Sequence, residues 1–232
     1  MAFNLQTFRT RTISAIAFAA IMLVGLLWNG WSFLFLFIVI HFGCWYEFVS
    51  LIKKISPLNY LYKLPLGLLY ITLPVVLILN LGIISNLFMT IPLGSTGDFH
   101  YFNVIPCGII FSIWINDTMA YIVGSFFGKT PFSKISPKKT WEGTIGGVIL
   151  CVVVITWIGY LANMFTVIDW ICISSLSAIF GTAGDLLESK LKRMAGVKDS
   201  GNIMPGHGGF LDRFDSFLLA TPFVWLYIYF IS

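Results

Sequence analysis

Long apolar runs broken only by short polar segments constrain this chain before anything else does: 13–28, 31–52, 64–82, 104–127, 143–161, 167–187 and 214–231. An α-helix needs roughly 20 such residues to cross the ~30 Å hydrocarbon core of a bilayer. Backbone N–H and C=O groups find no water there, so runs of this kind fold as helices. With 58% hydrophobic and only 10% charged residues in 232, a soluble globule would leave most of its surface apolar. The expected fold is all-α, a polytopic integral membrane protein of about seven transmembrane helices. Pro65 and Pro74 interrupt the third run and the apolar pattern continues through Ile91, which leaves room for seven to nine. Arg9 and Arg11 precede the first run, but no small-residue cleavage site follows it, so it reads as an uncleaved first span.

The cations fix an orientation. Arg9 and Arg11, then Lys53, Lys54 and Lys63, then Lys129, Lys134, Lys138 and Lys139, then Lys190, Lys192, Arg193, Lys198 and Arg213 occupy alternate polar segments, and the remaining loops carry none. The positive-inside rule places the N-terminus and these loops in the cytoplasm, with Ser232 on the far side. For Lys53, Lys54 and Lys63 orientation is a sufficient explanation. Loops 128–142 and 188–213 differ, because their cations are interleaved with carboxylates, glycines and a histidine. That mixture suits a multiply anionic ligand handled together with a metal. The cysteines, Cys44, Cys107, Cys151 and Cys172, each lie inside an apolar run without metal-ligand spacing, so no disulfide framework or cysteine metal site is expected.

Spacing narrows the chemistry. If the sixth span stays helical through its cytoplasmic end, Asp185, Glu188, Ser189 and Lys192 fall at i, i+3, i+4 and i+7 on one face. An ordinary Glu188 to Lys192 ion pair accounts for two of them, but not for Asp185, which follows the run SSLSAIFGTAG and sits close to the membrane. Asp212, Asp215 and Ser216 repeat the i, i+3, i+4 pattern at the start of the seventh span. One acid there is a helix cap; two, with Asp185, supply the hard oxygen ligands that Mg²⁺ prefers. Arg213 points elsewhere on the helix, where it could brace a phosphate or a carboxylate. Gly208 and Gly209, in PGHGG, let backbone N–H groups approach an anion, although a glycine turn is often only a turn. His207 could bind phosphate, orient a carboxylate or cap the loop. Asp117 lies deep in the fourth span, either hydrogen-bonded to Asn116 or a neighbouring helix, or lining a polar cleft. Gly143, Gly146 and Gly147 suit close helix packing.

The run Ser189-x-x-Lys192-Arg193, Lys198-Asp199, Pro205-Gly206-His207-Gly208-Gly209 and Asp212-Arg213-x-Asp215 resembles the signature of the phosphatidate cytidylyltransferases, also called CDP-diacylglycerol synthases. NDTMAYIVGSFFGK, residues 116–129, and SPKKTWEGTIGG, residues 136–147, resemble the same family, so the likeness covers roughly 103–217. Met204 is a mild departure, and the first hundred residues match only as hydrophobic spans. The resemblance implies the conversion of CTP and phosphatidate into CDP-diacylglycerol and pyrophosphate, with Mg²⁺, alone or beside a second, monovalent cation. It implies Asp185 and Asp212 as metal ligands, Asp215 as a ligand or as a carboxylate bracing one, and Lys139 as a further catalytic group. Asp117, Lys138, Ser189, Lys192, Arg193, Lys198, His207, Gly208, Gly209 and Arg213 become candidates for substrate binding. It further implies a bacterial-type inner membrane with the site facing the cytoplasm, a lipid bilayer but no nucleic acid as partner, and leaves a homodimer open. Residues 1–102 are expected to form an N-terminal scaffold, the place for any dimer contact, and 103–232 the catalytic region. Two rivals stand: a CTP-dependent kinase of a membrane polyisoprenoid or phytol-type alcohol, and a transporter coupling ions through Asp117 and Asp185.

Overall fold

A computed structural model describes residues 5–83, 102–133, 135–203 and 208–231. The described residues form helices and no strand, with a single isolated bridge between Pro131 and Thr140. We number the helical segments α1 (Leu5–Leu27), α2 (Gly30–Ile55), α3 (Tyr60–Gly82), α4 (Val104–Phe127), α5 (Trp141–Ala162), α6 (Val167–Met194) and α7 (Leu211–Phe230). Five of them, α2 to α6, are long and apolar enough to cross a membrane, and Thr12–Leu27 is a shorter apolar helix. The chain is thus an all-α integral membrane protein. Any further short helix after α3 would fall on 84–101, outside the described residues.

Local sequence explains where the helices begin and end. Asn29 opens α2 with a capping box: its side chain accepts from the Ser32 N–H at 2.8 Å, and the Ser32 hydroxyl accepts from the Asn29 N–H at 3.1 Å. Lys53 and Lys54 close it, where cations suit the negative end of the helix dipole. Within α3 the helix pauses at Leu64 and Pro65 opens the next helical turn, where its missing N–H costs nothing, while Pro74 comes two residues after a π-turn, Leu68–Thr72. Proline cannot donate to the carbonyl four residues back and its ring crowds that carbonyl, so a widened turn ahead of it keeps the helix running.

The described chain divides into two compact units, Met1–Asn103 with Leu191–Phe214, and Val104–Lys190 with Asp215–Ser232. In the first, α2 and α3 bury Phe33, Phe37, Ile71 and Ile78, and the Trp45 indole donates to the Thr72 hydroxyl at 3.0 Å. In the second, α4 and α5 approach closely because α5 presents glycine. A Cβ on Gly147 would lie 2.7 Å from the Ala120 Cβ, and one on Gly143 would lie 2.8 Å from the Ala120 carbonyl oxygen. Ile149, Val153 and Trp157, at i, i+4 and i+8 on α5, stay exposed and present an apolar face of the kind that meets lipid. At the other end of this unit, Asp169 in the first turn of α6 accepts from the Tyr227 hydroxyl of α7 at 2.8 Å.

Candidate active site

In the second unit the loop between α4 and α5 is built to hold its lysines in place. The Glu142 carboxylate accepts from the backbone N–H groups of Lys129 and Thr130, each at 3.2 Å, and from the Thr130 hydroxyl at 2.8 Å. The Phe132 N–H donates to the Lys139 carbonyl at 2.8 Å and the Trp141 N–H to the Thr130 carbonyl at 3.0 Å, while the Phe132 and Trp141 rings meet edge to face at 4.4 Å. Thr140 caps α5 by accepting from the Gly143 N–H at 3.1 Å. The loop therefore returns on itself, and Lys138 and Lys139 emerge from a braced turn rather than a free tether.

Both lysines line a cavity of about 490 Å³ together with Asn116, Asp117, Thr182 and Asp185. Asp117 is exposed to this cavity, and its neighbour Asn116 donates to the Thr182 hydroxyl at 3.4 Å. Asp117 therefore lines a polar cleft beside Lys139 and Asp185. Lys139 pairs with Asp185, which also accepts from the Ser189 hydroxyl at 3.4 Å. α6 is helical through Met194, so Asp185, Glu188 and Ser189 do share a face.

Asp185, Glu188 and Asp215 form the carboxylate cluster of this unit, with one oxygen from each lying within 4.8 Å of the others. Glu188 and Asp215 are buried. Gly184 permits the approach of α6 and α7, since a Cβ there would meet the Asp215 main chain. Mg²⁺ takes near-octahedral oxygen ligands at about 2.1 Å, so the carboxylates would have to draw in around a bound ion. Donor type and charge fit a hard divalent cation, and each residue offers one oxygen to it. Glu188 enters this set although its i+4 relation to Lys192 reads as a surface ion pair in the sequence.

In the first unit the Lys192 ammonium donates to Asp212 Oδ1 at 2.5 Å, while Asp212 Oδ2 accepts from the Ser200 N–H and the Gly209 N–H, each at 2.8 Å. Burial pushes the Asp212 carboxyl up, but the Lys192 ammonium and these N–H groups outweigh it and hold it below the usual aspartate value. The Asp212 oxygens thus tie Lys192, Ser200 and Gly209 together at the start of α7. Gly208 takes a φ of 83°, and a Cβ there would lie 3.0 Å from the Asp212 carboxyl carbon, so glycine is required twice over. Arg193 and Lys198 are exposed and Arg213 is half-buried. His207 lies outside the described residues. One acid in this unit escaped the sequence reading altogether: Glu47 of α2, buried, accepts from the Ser200 hydroxyl at 2.6 Å and from the Phe210 and Leu211 N–H groups, each at 2.9 Å. Its place inside an apolar helix was the available signal.

Residues 87–231 match the model of the Cytidylyltransferase family, a stretch that contains every one of these groups except Glu47. A phosphatidate cytidylyltransferase of Bacillus subtilis is 44% identical over 139 residues, covering 55% of this chain and 52% of its own length. One from Staphylococcus saprophyticus is 46% identical over 113 residues, with coverages of 47% and 43%. The chloroplastic phosphatidate cytidylyltransferase 4 of Arabidopsis thaliana is 43% identical over 113 residues, with coverages of 48% and 29%. The chain spans about half, or less, of the length of these curated relatives.

Proposed function

The chain belongs to the cytidylyltransferase family, and on that premise we propose that it joins CTP to phosphatidate, giving CDP-diacylglycerol and pyrophosphate. The observation that carries this reading is one cavity that combines two lysines of a braced loop with an acid, Asp185, belonging to a three-carboxylate cluster. Cations for phosphates and oxygen ligands for a metal are the two requirements of a reaction between highly charged anions.

A phosphate oxygen of phosphatidate attacks the α-phosphorus of CTP, and the bond from that phosphorus to the bridging oxygen of the β-phosphate breaks, with the electron pair leaving on pyrophosphate. A phosphomonoester has a second pKa near ~6 and is largely dianionic at neutral pH, so the nucleophile needs no strong general base. The residues have other work. Lys138 and Lys139 neutralise phosphate charge from a loop whose conformation is already fixed by Glu142 and Thr140, so little ordering remains on binding. Lys139, paired with Asp185 beforehand, is held at the cavity and exchanges one anionic partner for another. Asp117 and Asn116 keep the inner wall polar where a headgroup would enter from the side. Asp185, Glu188 and Asp215 would hold Mg²⁺, which when bound offsets charge on the α-phosphoryl group and the departing pyrophosphate.

The distribution of cations supports a cytoplasmic site, where CTP is supplied, and the bacterial relatives support an inner membrane of that kind. Purified protein in detergent, given CTP, Mg²⁺ and phosphatidate, is expected to release pyrophosphate and form CDP-diacylglycerol in equal amounts. Release of CDP with a newly phosphorylated lipid alcohol, or nucleotide binding without pyrophosphate, would overturn the reading.

A further inference from the structure

We infer that Glu47, on the apolar helix α2 and outside the residues matched to the family, is a positioning residue that holds Ser200 and the start of α7 in their working arrangement. The inference deepens the proposed function and rests on it for the reaction whose rate the test reads.

A carboxylate buried to 2% exposure within a membrane-spanning helix is costly unless its oxygens are satisfied. Glu47 meets that demand with donors from one place. Oε1 accepts from the Phe210 N–H, and Oε2 accepts from the Leu211 N–H and the Ser200 hydroxyl. Phe210 and Leu211 lie at the start of α7, whose first N–H groups have no partner in their own helix, so Glu47 caps α7 from another segment of the chain. The fit is steric as well as polar. Cβ atoms on Gly201 or Gly209 would run into the Glu47 carboxylate, and the Phe210 ring lies where a Cβ on Gly43, one turn before Glu47 on α2, would be. Ser200 then passes the tie on: its hydroxyl donates to Glu47 at 2.6 Å and accepts from the Asp212 N–H at 3.3 Å, its own N–H donates to Asp212 Oδ2 at 2.8 Å, and Asp212 in turn holds Lys192. Glu47 therefore sets the position of Asp212 and Lys192 without touching a substrate.

The test uses the full chain in detergent with Glu47→Ala, Glu47→Gln and Ser200→Ala, each read by amide hydrogen exchange at Phe210 and Leu211 and by kcat and KM for CTP in pyrophosphate release. Glu47→Ala is expected to speed exchange at both amides and to lower kcat/KM by about tenfold or more, because two buried donors lose their acceptor. Glu47→Gln, which keeps an acceptor oxygen, is expected to recover part of both. Unchanged exchange in Glu47→Ala would overturn the tie; faster exchange at full kcat/KM would overturn the positioning role; lost activity at unchanged exchange would put Glu47 on the substrate instead. Should Glu47→Ala fail to give a monodisperse protein, Ser200→Ala carries the test, as it leaves α2 and the Glu47 contacts to the Phe210 and Leu211 N–H groups intact and removes the hydroxyl between Glu47 and Asp212; exchange at both amides is then expected unchanged while kcat/KM falls, and full kcat/KM would overturn the positioning role. The exchange readout needs no turnover, so an inactive wild type would count against the proposed reaction and leave the loop tie to be decided on its own.

Discussion

On α6 the Lys192 ammonium pairs with Asp212, and one turn earlier the Glu188 carboxylate lies with those of Asp185 and Asp215. The two acids, Glu188 and Asp212, can be told apart by measurement. Glu188→Gln is expected to raise the Mg²⁺ concentration for half-maximal pyrophosphate release by about tenfold or more, as losses in a metal site commonly do. Asp212→Asn is expected to cut kcat/KM through the loop while leaving that Mg²⁺ concentration unchanged; a parallel Mg²⁺ shift in both variants would return Asp212 to the ligand set. Lys139→Ala should raise the apparent KM for CTP or for phosphatidate by about tenfold, the worth of one charge-assisted contact. Unchanged values for both would reduce Lys139 to a topogenic charge. At this scale the sequence was informative only over short distances. Helical spacing put Asp185 and Glu188 on one face, but the pairing of Lys192 with Asp212 required knowing where a residue twenty positions away had folded. Glu47 was further out of reach, because the donors that explain it lie more than a hundred and fifty positions along the chain.

Helices were the most legible part of the molecule, since bilayer thickness and backbone hydrogen bonding leave an apolar run few alternatives. The apolar runs foretold α2, α4 and α5 closely, and Gly143, Gly146 and Gly147 foretold the approach of α5 to α4. The π-turn of α3 was not legible, because a proline in an apolar run signals trouble without saying how the backbone absorbs it. Nor was the bracing of the lysine loop: Glu142 reads as an acid in a first helical turn, and only the fold turns Lys129 and Thr130 back onto it. The glycine contact gives this scale its test. Alanine is the better helix former by roughly 1 kcal/mol, yet Gly147→Ala is expected to lower the melting temperature in detergent, because overpacking costs about 1–3 kcal/mol where neighbours cannot yield. A raised melting temperature would mean that α4 and α5 have slack at Ala120.

For the whole molecule, the charge pattern commits Leu58, Pro137 and Asn202 to one side of the membrane and Asn163 to the other. Single cysteines at these exposed positions, in a background without native cysteines, test it with an impermeant maleimide. In sealed right-side-out vesicles only Asn163→Cys is expected to react before permeabilisation, and early labelling of any of the other three would redraw the topology. The length of α6 bears on how such a protein meets a lipid. Its 28 residues extend ~42 Å against a hydrocarbon core of ~30 Å. Measured from Val167 along the helix, Asp185 lies ~27 Å away, near the far boundary of that core, at the depth where phospholipids carry their own phosphates. In the proposed reaction a lipid phosphate would then meet the carboxylates from within its own leaflet, without being lifted out of the membrane.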